Sequence, residues 1–168
     1  MAFYKGRYRI ASTRLAGWDY RSAGYYFVTI CTARRARHFG SIAGGVIHLS
    51  DIGRAAHDEW LKSAALRSNV SLDAFVIMPD HLHGIVILHS DDPAATYTAR
   101  NRFGPLPSGS LQSLINGYKG AVTRWARLHG RSDFAWQPRY WETIIRGPAH
   151  LRAVRRYIGN NPLRWAQE

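Results

Sequence analysis

The alternation of apolar and polar positions predicts strands in the first half of the chain. Residues 25–32 are β-branched and aromatic, which is typical of a strand, and residues 39–49 contain the Gly-Gly pair expected of a hairpin turn. Two apolar runs, residues 72–78 and 82–88, flank a Pro-Asp turn pair. We therefore expect these two runs to form antiparallel neighbours.

Apolar residues at helical spacing predict three helices. The first covers residues 51–66, with Ser50 as its cap, and the second runs from residue 111 to 125 with apolar positions at i, i+3, i+4 and i+7. A third begins at a Gly-Pro pair and covers residues 148–160, after an aromatic-rich extended or irregular segment at 134–146. This order of elements predicts an α+β sandwich with helices on one face of an antiparallel sheet.

Length and composition fit one domain over residues 1–168. The chain is 46% apolar, enough for one sizeable core, which excludes disordered and fibrous classes. Residues 90–109, rich in Ser, Asp, Pro and Gly, are expected to form a long internal loop. The single cysteine, Cys31, excludes a disulfide framework or a Cys-based zinc site and is expected to be a small buried hydrophobe.

The charge balance points to a polyanionic partner. The chain has 23 Lys plus Arg against 11 Asp plus Glu, a net charge of +12, and 20 of the basic residues are Arg. Arg grips phosphate oxygens in pairs, which favours nucleic acid over a lipid surface, although a GC-rich genome could also raise the Arg share. No apolar stretch approaches the roughly 20 residues of a bilayer span and no signal peptide is evident, so we expect a cytoplasmic protein without membrane partners.

Two histidines form a candidate metal site. His81 and His83 are two residues apart on a predicted strand, so both imidazoles point the same way. With a third oxygen ligand they could hold Mg or Mn against a phosphate. The alternative is a pair of ordinary surface or core histidines.

The last helix supplies a candidate nucleophile. Tyr157 and Asn161 are one turn apart, beside the apolar stripe of that helix. A Tyr hydroxyl can attack a phosphodiester and form a covalent intermediate. On spacing alone, a half-buried Tyr and a helix-ending Asn before Pro162 explain the pattern as well.

Three sequence blocks, taken in order, carry a family resemblance over residues 14–165. They are GWDYRSAGYYFVTICTARRARHFG, DEWLKSAALRSNVSLDAFVIMPDHLHGIVIL and WQPRYWETIIRGPAHLRAVRRYIGNNPLRW. The chain resembles the REP-associated tyrosine transposases and the wider single-tyrosine transposases of bacterial insertion sequences, in the HUH endonuclease superfamily. The resemblance implies a ferredoxin-like or RRM-like fold.

The resemblance also implies the chemistry. His81 and His83 would bind a divalent metal, Mg or Mn, with Asn161 as third ligand, and Tyr157 would be the nucleophile. The implied function is a metal-dependent single-stranded DNA endonuclease and strand transferase that forms a 5′-phosphotyrosine intermediate on hairpin or palindromic DNA. We expect a bacterial, nucleoid-associated monomer or homodimer.

Two positions depart from the family pattern, and each leaves alternative roles open, as does one aromatic block. Asp80, where many relatives have Asn, could orient a histidine, contact the metal or make the turn, and the turn is favoured. His150 could assist proton transfer, but an exposed residue at the helix start is favoured. The block WQPRYWETIIR, residues 136–146, is expected to pack against the sheet, with no separate catalytic role assigned to Trp136, Arg139, Tyr140, Trp141, Glu142 or Arg146.

Basic residues near these elements are candidates for DNA contact, and each could equally be a solvated charge. They are Arg34, Arg35, Arg37, Arg100, Arg102, Lys119, Arg152, Arg155 and Arg156. A competing function is a domesticated, non-catalytic nucleic-acid-binding protein of the same fold. A histidine-triad phosphoesterase fits less well, because the next histidine after His83 is His89.

Overall fold

The computed structural model describes residues 3–4, 8–9, 17–90 and 109–165. The predicted loop at 90–109 lies, apart from its two ends, outside the described residues. None of the helices in the described ranges is long and apolar enough to cross a membrane.

A four-stranded antiparallel sheet forms the centre of the protein. Its four strands are β3 (Gly24–Cys31), β6 (Val70–Met78), β7 (His81–Leu88) and β8 (Trp141–Ile145). Their spatial order is β6-β7-β3-β8, and all neighbours are antiparallel. Two short antiparallel pairs lie outside this sheet. In the first pair, β1 (Phe3–Tyr4) lies beside β2 (Tyr8–Arg9), and in the second, β4 (Gly40–Ala43) lies beside β5 (Val46–Leu49).

Three helices connect and follow these strands. Helix α1 (Asp51–Ala65) precedes β6, and helix α2 (Leu111–Leu128) precedes β8. Helix α3 (Pro148–Trp165) ends the described chain. The central strands with α1 and α2 therefore follow the β-α-β-β-α-β order of a ferredoxin-like fold. This confirms the predicted α+β class.

Local sequence chemistry explains where several elements begin. The Ser50 hydroxyl accepts a hydrogen bond from the Gly53 N–H at 3.1 Å, which caps α1 as predicted. The hairpin between β4 and β5 turns through Gly44 and Gly45, whose φ angles of 57° and 77° lie in the left-handed region. These elements match their predicted positions because their determinants are neighbours in sequence.

The two faces of the sheet are covered differently. Helices α1 and α2 pack on one face, where Trp60 and Tyr118 join Tyr26 and Val28 in the main hydrophobic core. The expectation of helices on one face holds for this pair. Helix α3 instead packs on the opposite face, over a smaller apolar cluster made by Ile85, Ile145, Val154 and Ile158.

The structure makes one predicted element more specific and lengthens another. Part of the segment expected to be extended or irregular is β8, which completes the sheet by pairing with β3. Helix α3 continues past Asn160 and through Pro162 to Trp165. The Trp165 ring centroid lies 5.9 Å from the His81 ring centroid, so the last turn of α3 contacts the sheet.

Candidate functional site

Four predicted residues meet in one cavity on the α3 side of the sheet. β7 contributes His81 and His83, and α3 contributes Tyr157 and Asn161, to a cavity of about 400 Å³. The remaining wall consists of residues from the strands, the turn after β3 and the end of α3. They are Thr29, Cys31, Arg35, Trp141, Arg164 and Trp165.

The two histidines are neighbours on the same face of β7. Their ring centroids are 4.4 Å apart, and the side chains are buried at 4% and 6% exposure. Strand alternation sends the residue between them, Leu82, into the main core on the other face. The two-residue spacing therefore brings both imidazoles to one site, as predicted.

Thr29 on β3 orients His83. The two residues are paired in the sheet register, and Oγ1 of Thr29 lies 2.8 Å from Nδ1 of His83. Nε2 of His83 therefore faces the cavity, where the Tyr157 hydroxyl is 3.4 Å away. Burial, with smaller contributions from His81 and Arg35, lowers the pKa of His83 to about 3. This imidazole is neutral at physiological pH, as a metal ligand must be.

Asp80 orients His81. Its Oδ1 lies 2.6 Å from Nδ1 of His81, and its Oδ2 forms an ion pair with Nε of Arg35 at 3.0 Å. A carboxylate at Nδ1 fixes the imidazole tautomer whose Nε2 carries the lone pair. The preference for a turn-only role was therefore incomplete: the Asp80 carbonyl accepts from the Thr32 N–H in that turn, while its carboxylate contacts the histidine.

The turn after β3 carries Arg35 back over the cavity. Arg34 and Arg35 have φ angles of 55° and 56°, a left-handed conformation that costs free energy for residues with a side chain. The ion pair with Asp80 offsets part of this cost, as does a hydrogen bond from Nη1 of Arg35 to Sγ of Cys31 at 2.8 Å. Cys31 is buried, as predicted, and also lines the cavity.

Helix α3 places Tyr157 at the open side of the cavity and Asn161 deeper inside. Tyr157 is 38% exposed and its ring is T-shaped to that of Phe27, with the ring centroids 5.9 Å apart, whereas Asn161 is 9% exposed. The Arg164 guanidinium lies 5.9 Å from the Tyr157 ring centre and brings positive charge to the phenol. Asn161 does not end the helix, because α3 continues for another turn.

The polar groups fit a divalent cation shared with a phosphate. Both imidazoles are held through Nδ1, and the Asn161 amide lies in the same cavity. Across the described ranges, no third His, Cys, Asp or Glu joins the pair in a metal-binding group. If His81, His83 and Asn161 held a metal, these three ligands would leave coordination positions open for phosphate oxygens, as catalytic metal sites require.

Comparison with known proteins places the chain in a family. No protein-family model matches it. An uncharacterised protein of Haemophilus influenzae is 35% identical over 162 residues, covering 94% of this chain and 90% of that protein. The chain belongs to the family of this protein.

A solved structure shows the same fold. It is a REP-associated tyrosine transposase bound to a REP hairpin, and it matches with a TM-score of 0.62 and 21% sequence identity over 90% of this chain and 73% of the other. The resemblance found in the sequence blocks is thereby confirmed for the fold. The cavity described above lies within this shared fold, between the sheet and α3.

Arg35, one of the predicted DNA-contact arginines, lines this cavity. Arg34 and Arg37 are exposed, and the Arg37 guanidinium lies 5.4 Å from the Trp165 ring centre at the cavity edge. Arg152 and Arg156 are exposed on α3. Their positions are compatible with the predicted role, which no contact in the structure tests.

The other predicted contact residues have different surroundings. Arg155 makes hydrogen bonds of 2.6–3.2 Å with both carboxylate oxygens of Asp73 and thereby ties α3 to β6. Nζ of Lys119 donates to the Gln137 carbonyl at 2.7 Å, and burial lowers its pKa. Arg100 and Arg102 lie outside the described residues.

His150 is not among the residues that line the cavity. Its Nδ1 accepts a hydrogen bond from the Arg146 N–H at 3.2 Å, which closes the turn that leads into α3. His150 therefore stands at the helix start, as the favoured interpretation has it, but it is half-buried rather than exposed.

Sequence reasoning missed several cavity residues that depend on long-range pairing. Thr29 reaches His83 only because β3 pairs with β7, and Trp141 reaches the cavity only because β8 pairs with β3. Arg164 had a local signal, since it lies seven residues after Tyr157 on the same helical flank. That signal was lost because the predicted helix ended at residue 160.

Proposed function

We propose that the protein is a metal-dependent single-stranded DNA endonuclease and strand transferase, a transposase acting on hairpin or palindromic DNA through a 5′-phosphotyrosine intermediate. The observation that carries this proposal is the approach of the Tyr157 hydroxyl to Nε2 of His83, 3.4 Å away, beside His81. The fold shared with a REP-associated transposase bound to a REP hairpin supports the same class of substrate.

His81, His83 and Asn161 would hold the metal, Mg or Mn. When bound, it supplies positive charge that neutralises the scissile phosphate and favours attack on phosphorus. Asp80 and Thr29 hold the two imidazoles through Nδ1, so the ligand atoms are oriented before the metal arrives. This preorganisation lowers the cost of assembling a site with few protein ligands.

Tyr157 would perform a balanced transesterification. Its Oη attacks the phosphorus, a phosphotyrosyl bond to the 5′ side forms, and the bond to the 3′ oxygen breaks. The phenol proton passes to water at the open side of the cavity, and the departing 3′ oxygen takes a proton from water. A later attack by a DNA hydroxyl on the phosphotyrosyl bond reverses these changes and rejoins the strands without an external energy source.

The charge distribution supports binding of the DNA backbone. The chain carries a net charge of +12, and Arg35 and Arg164 lie in the cavity wall. Each phosphate neutralised by an arginine releases counterions, so affinity for DNA should fall steeply as salt is raised.

The direct test is formation of a covalent protein–DNA adduct. Labelled hairpin DNA with single-stranded flanks is incubated with the protein and Mg²⁺ or Mn²⁺, and adducts are separated on a denaturing gel. Wild-type protein is expected to form an adduct that EDTA prevents. Tyr157→Phe and His81→Ala should each abolish it, because they remove the attacking oxygen and a metal ligand.

Tyr25 provides a matched control. Like Tyr157 it is a tyrosine with 38% exposure, but it does not line the cavity. Tyr25→Phe should therefore retain the adduct. An adduct that survives Tyr157→Phe would contradict the proposal, and DNA binding without any adduct would favour the non-catalytic binding protein.

A further inference from the structure

We propose that Trp141 is a stacking platform for an unpaired DNA base adjacent to the scissile phosphate. This inference rests on the proposed function and specifies how the same site would recognise single-stranded substrate. It assigns a role to Trp141, the first residue of β8, which was predicted only to pack against the sheet.

The sheet register places Trp141 close to the proposed chemistry. Trp141 pairs with Thr29 on β3, and Thr29 pairs with His83 on β7. Neighbouring strands are about 4.8 Å apart, so Trp141 and His83 lie in one row across the sheet, roughly 10 Å apart at the backbone. Both side chains line the cavity, which brings the indole within reach of a nucleotide whose phosphate meets His83.

The exposure of Trp141 separates it from the other aromatic residues of its segment. Its side chain is 55% exposed, whereas Tyr140 is 7% exposed and packs in the main core. Trp136 packs against the same core, and its Nε1 donates to the Lys119 carbonyl at 3.0 Å. Folding therefore uses Tyr140 and Trp136, while Trp141 leaves a large indole surface in water at a cavity wall.

The surroundings of Trp141 fit single-stranded DNA. Arg35 and Arg164 line the same cavity and supply positive charge for backbone phosphates. An aromatic surface beside basic side chains is the combination that binds single strands, because every unpaired base offers a face for stacking. A base within a duplex is already stacked on its neighbours, so the predicted occupant is an unpaired base.

The test compares two DNA probes with cleavage disabled by Tyr157→Phe. One probe is a hairpin with unpaired 5′ and 3′ tails, in which successive tail positions carry the fluorescent base 2-aminopurine, and the other is the same hairpin without tails. Binding should quench the fluorescence at one tail position. Adding Trp141→Ala should remove this quenching and weaken binding of the tailed hairpin by about tenfold or more.

Two controls separate stacking from general effects. Trp141→Phe keeps an aromatic face and should retain most of the quenching. Leu128→Ala, at an exposed position on α2, should change nothing. The inference is overturned if Trp141→Ala leaves quenching and affinity unchanged, if it weakens the untailed hairpin equally, or if neither probe binds.

The adduct assay distinguishes this inference from the proposed function. If wild-type protein forms no adduct while Trp141 still governs the quenching, cleavage fails and stacking stands. If the adduct forms while Trp141→Ala behaves like its parent in both binding measurements, cleavage stands and stacking fails.

Discussion

The two faces of the central sheet are built from the same strands but from different side chains. On the α1–α2 face, the alternate residues of β3 and β7 are apolar and fully buried, such as Val28 and Leu82. On the α3 face, the intervening positions include Thr29, His81 and His83, and the apolar cluster has only four buried members. One face supplies most of the hydrophobic stabilisation, and the other has room for polar groups.

This difference explains how a small protein can keep buried polar groups beside an open cavity. The main core contributes the burial that holds β7 in register, so the histidines do not have to contribute to stability themselves. Their polar atoms are satisfied by Asp80 and Thr29 rather than left unpaired. Variants in the main core should therefore mainly change the free energy of unfolding, whereas variants at the cavity on the α3 face should mainly change metal binding and cleavage.

The largest expected effect on stability is at the main core. Trp60 is fully buried on α1, with its ring 5.0 Å from that of Tyr118. Trp60→Ala should lower the free energy of unfolding by about 3–5 kcal/mol because it leaves a large cavity. Urea denaturation measures the change. Tyr157→Phe on the other face should leave the midpoint nearly unchanged, and a similar loss from both variants would contradict the contrast.

The next effect concerns metal affinity on the α3 face. Asp80→Ala removes the carboxylate that holds Nδ1 of His81, so affinity for Mn²⁺ should fall by about 10–100-fold. Asp80→Asn keeps an oxygen acceptor at that position and should recover much of the loss. Electron paramagnetic resonance of free Mn²⁺ measures the affinity.

Asp58 gives a control for the loss of a carboxylate. It lies on α1 with a side chain that is 64% exposed, outside the cavity. Asp58→Ala should bind Mn²⁺ as the wild type does. Equal affinities for wild type and Asp80→Ala would refute the orienting role of Asp80.

The smallest expected effect is at the contact between α3 and β6. The Arg155 hydrogen bond, aided by the Ala74 N–H, holds the pKa of Asp73 below its ordinary value. Because the pKa of Asp73 is lower in the folded state than in the unfolded state, its charge stabilises the fold at pH values above the unfolded pKa of about 3.9. This contribution is lost as the pH falls through the folded-state pKa. Because water screens the pair, Asp73→Asn should cost only about 0.5–1 kcal/mol at pH 7.

Unfolding of wild type and Asp73→Asn at pH 7 and at successively lower pH would test this linkage. The difference in stability should shrink below about pH 4. A difference that is constant down to pH 2 would show that the charge on Asp73 does not stabilise the contact.

The sequence predicts the locally determined parts of the fold. The strand pair around Pro79 and Asp80, the hairpin at Gly44 and Gly45, and helix α1 with its Ser50 cap all follow from residues that are close in the chain. The pairing of β8 with β3 does not follow from nearby residues. Strand β8 joins the sheet from more than 100 residues further along the chain, so only tertiary packing specifies this pairing. Pro162 likewise favours an early helix end, whereas α3 continues to Trp165, whose ring lies beside that of His81 on the sheet.

The candidate site divides in the same way. His81 and His83 share a face by strand alternation, and Tyr157 and Asn161 share a flank by helical spacing, so each pair was visible in the sequence. Their convergence required the placement of α3 over the sheet, which residue spacing cannot reveal. The residues that orient the histidines divide too: Asp80 is adjacent in sequence, whereas Thr29 is brought in by strand pairing.

The central claim is that the α3 face carries a tyrosine nucleophile beside a histidine pair. It is tested most directly by proteolysis of the protein after reaction with hairpin DNA and Mn²⁺, followed by mass spectrometry of the nucleotide-bearing peptide. We predict that the nucleotide is attached to Tyr157 through a 5′ phosphate. Attachment to any other residue, or a cleaved DNA strand with no modified peptide, would contradict the account.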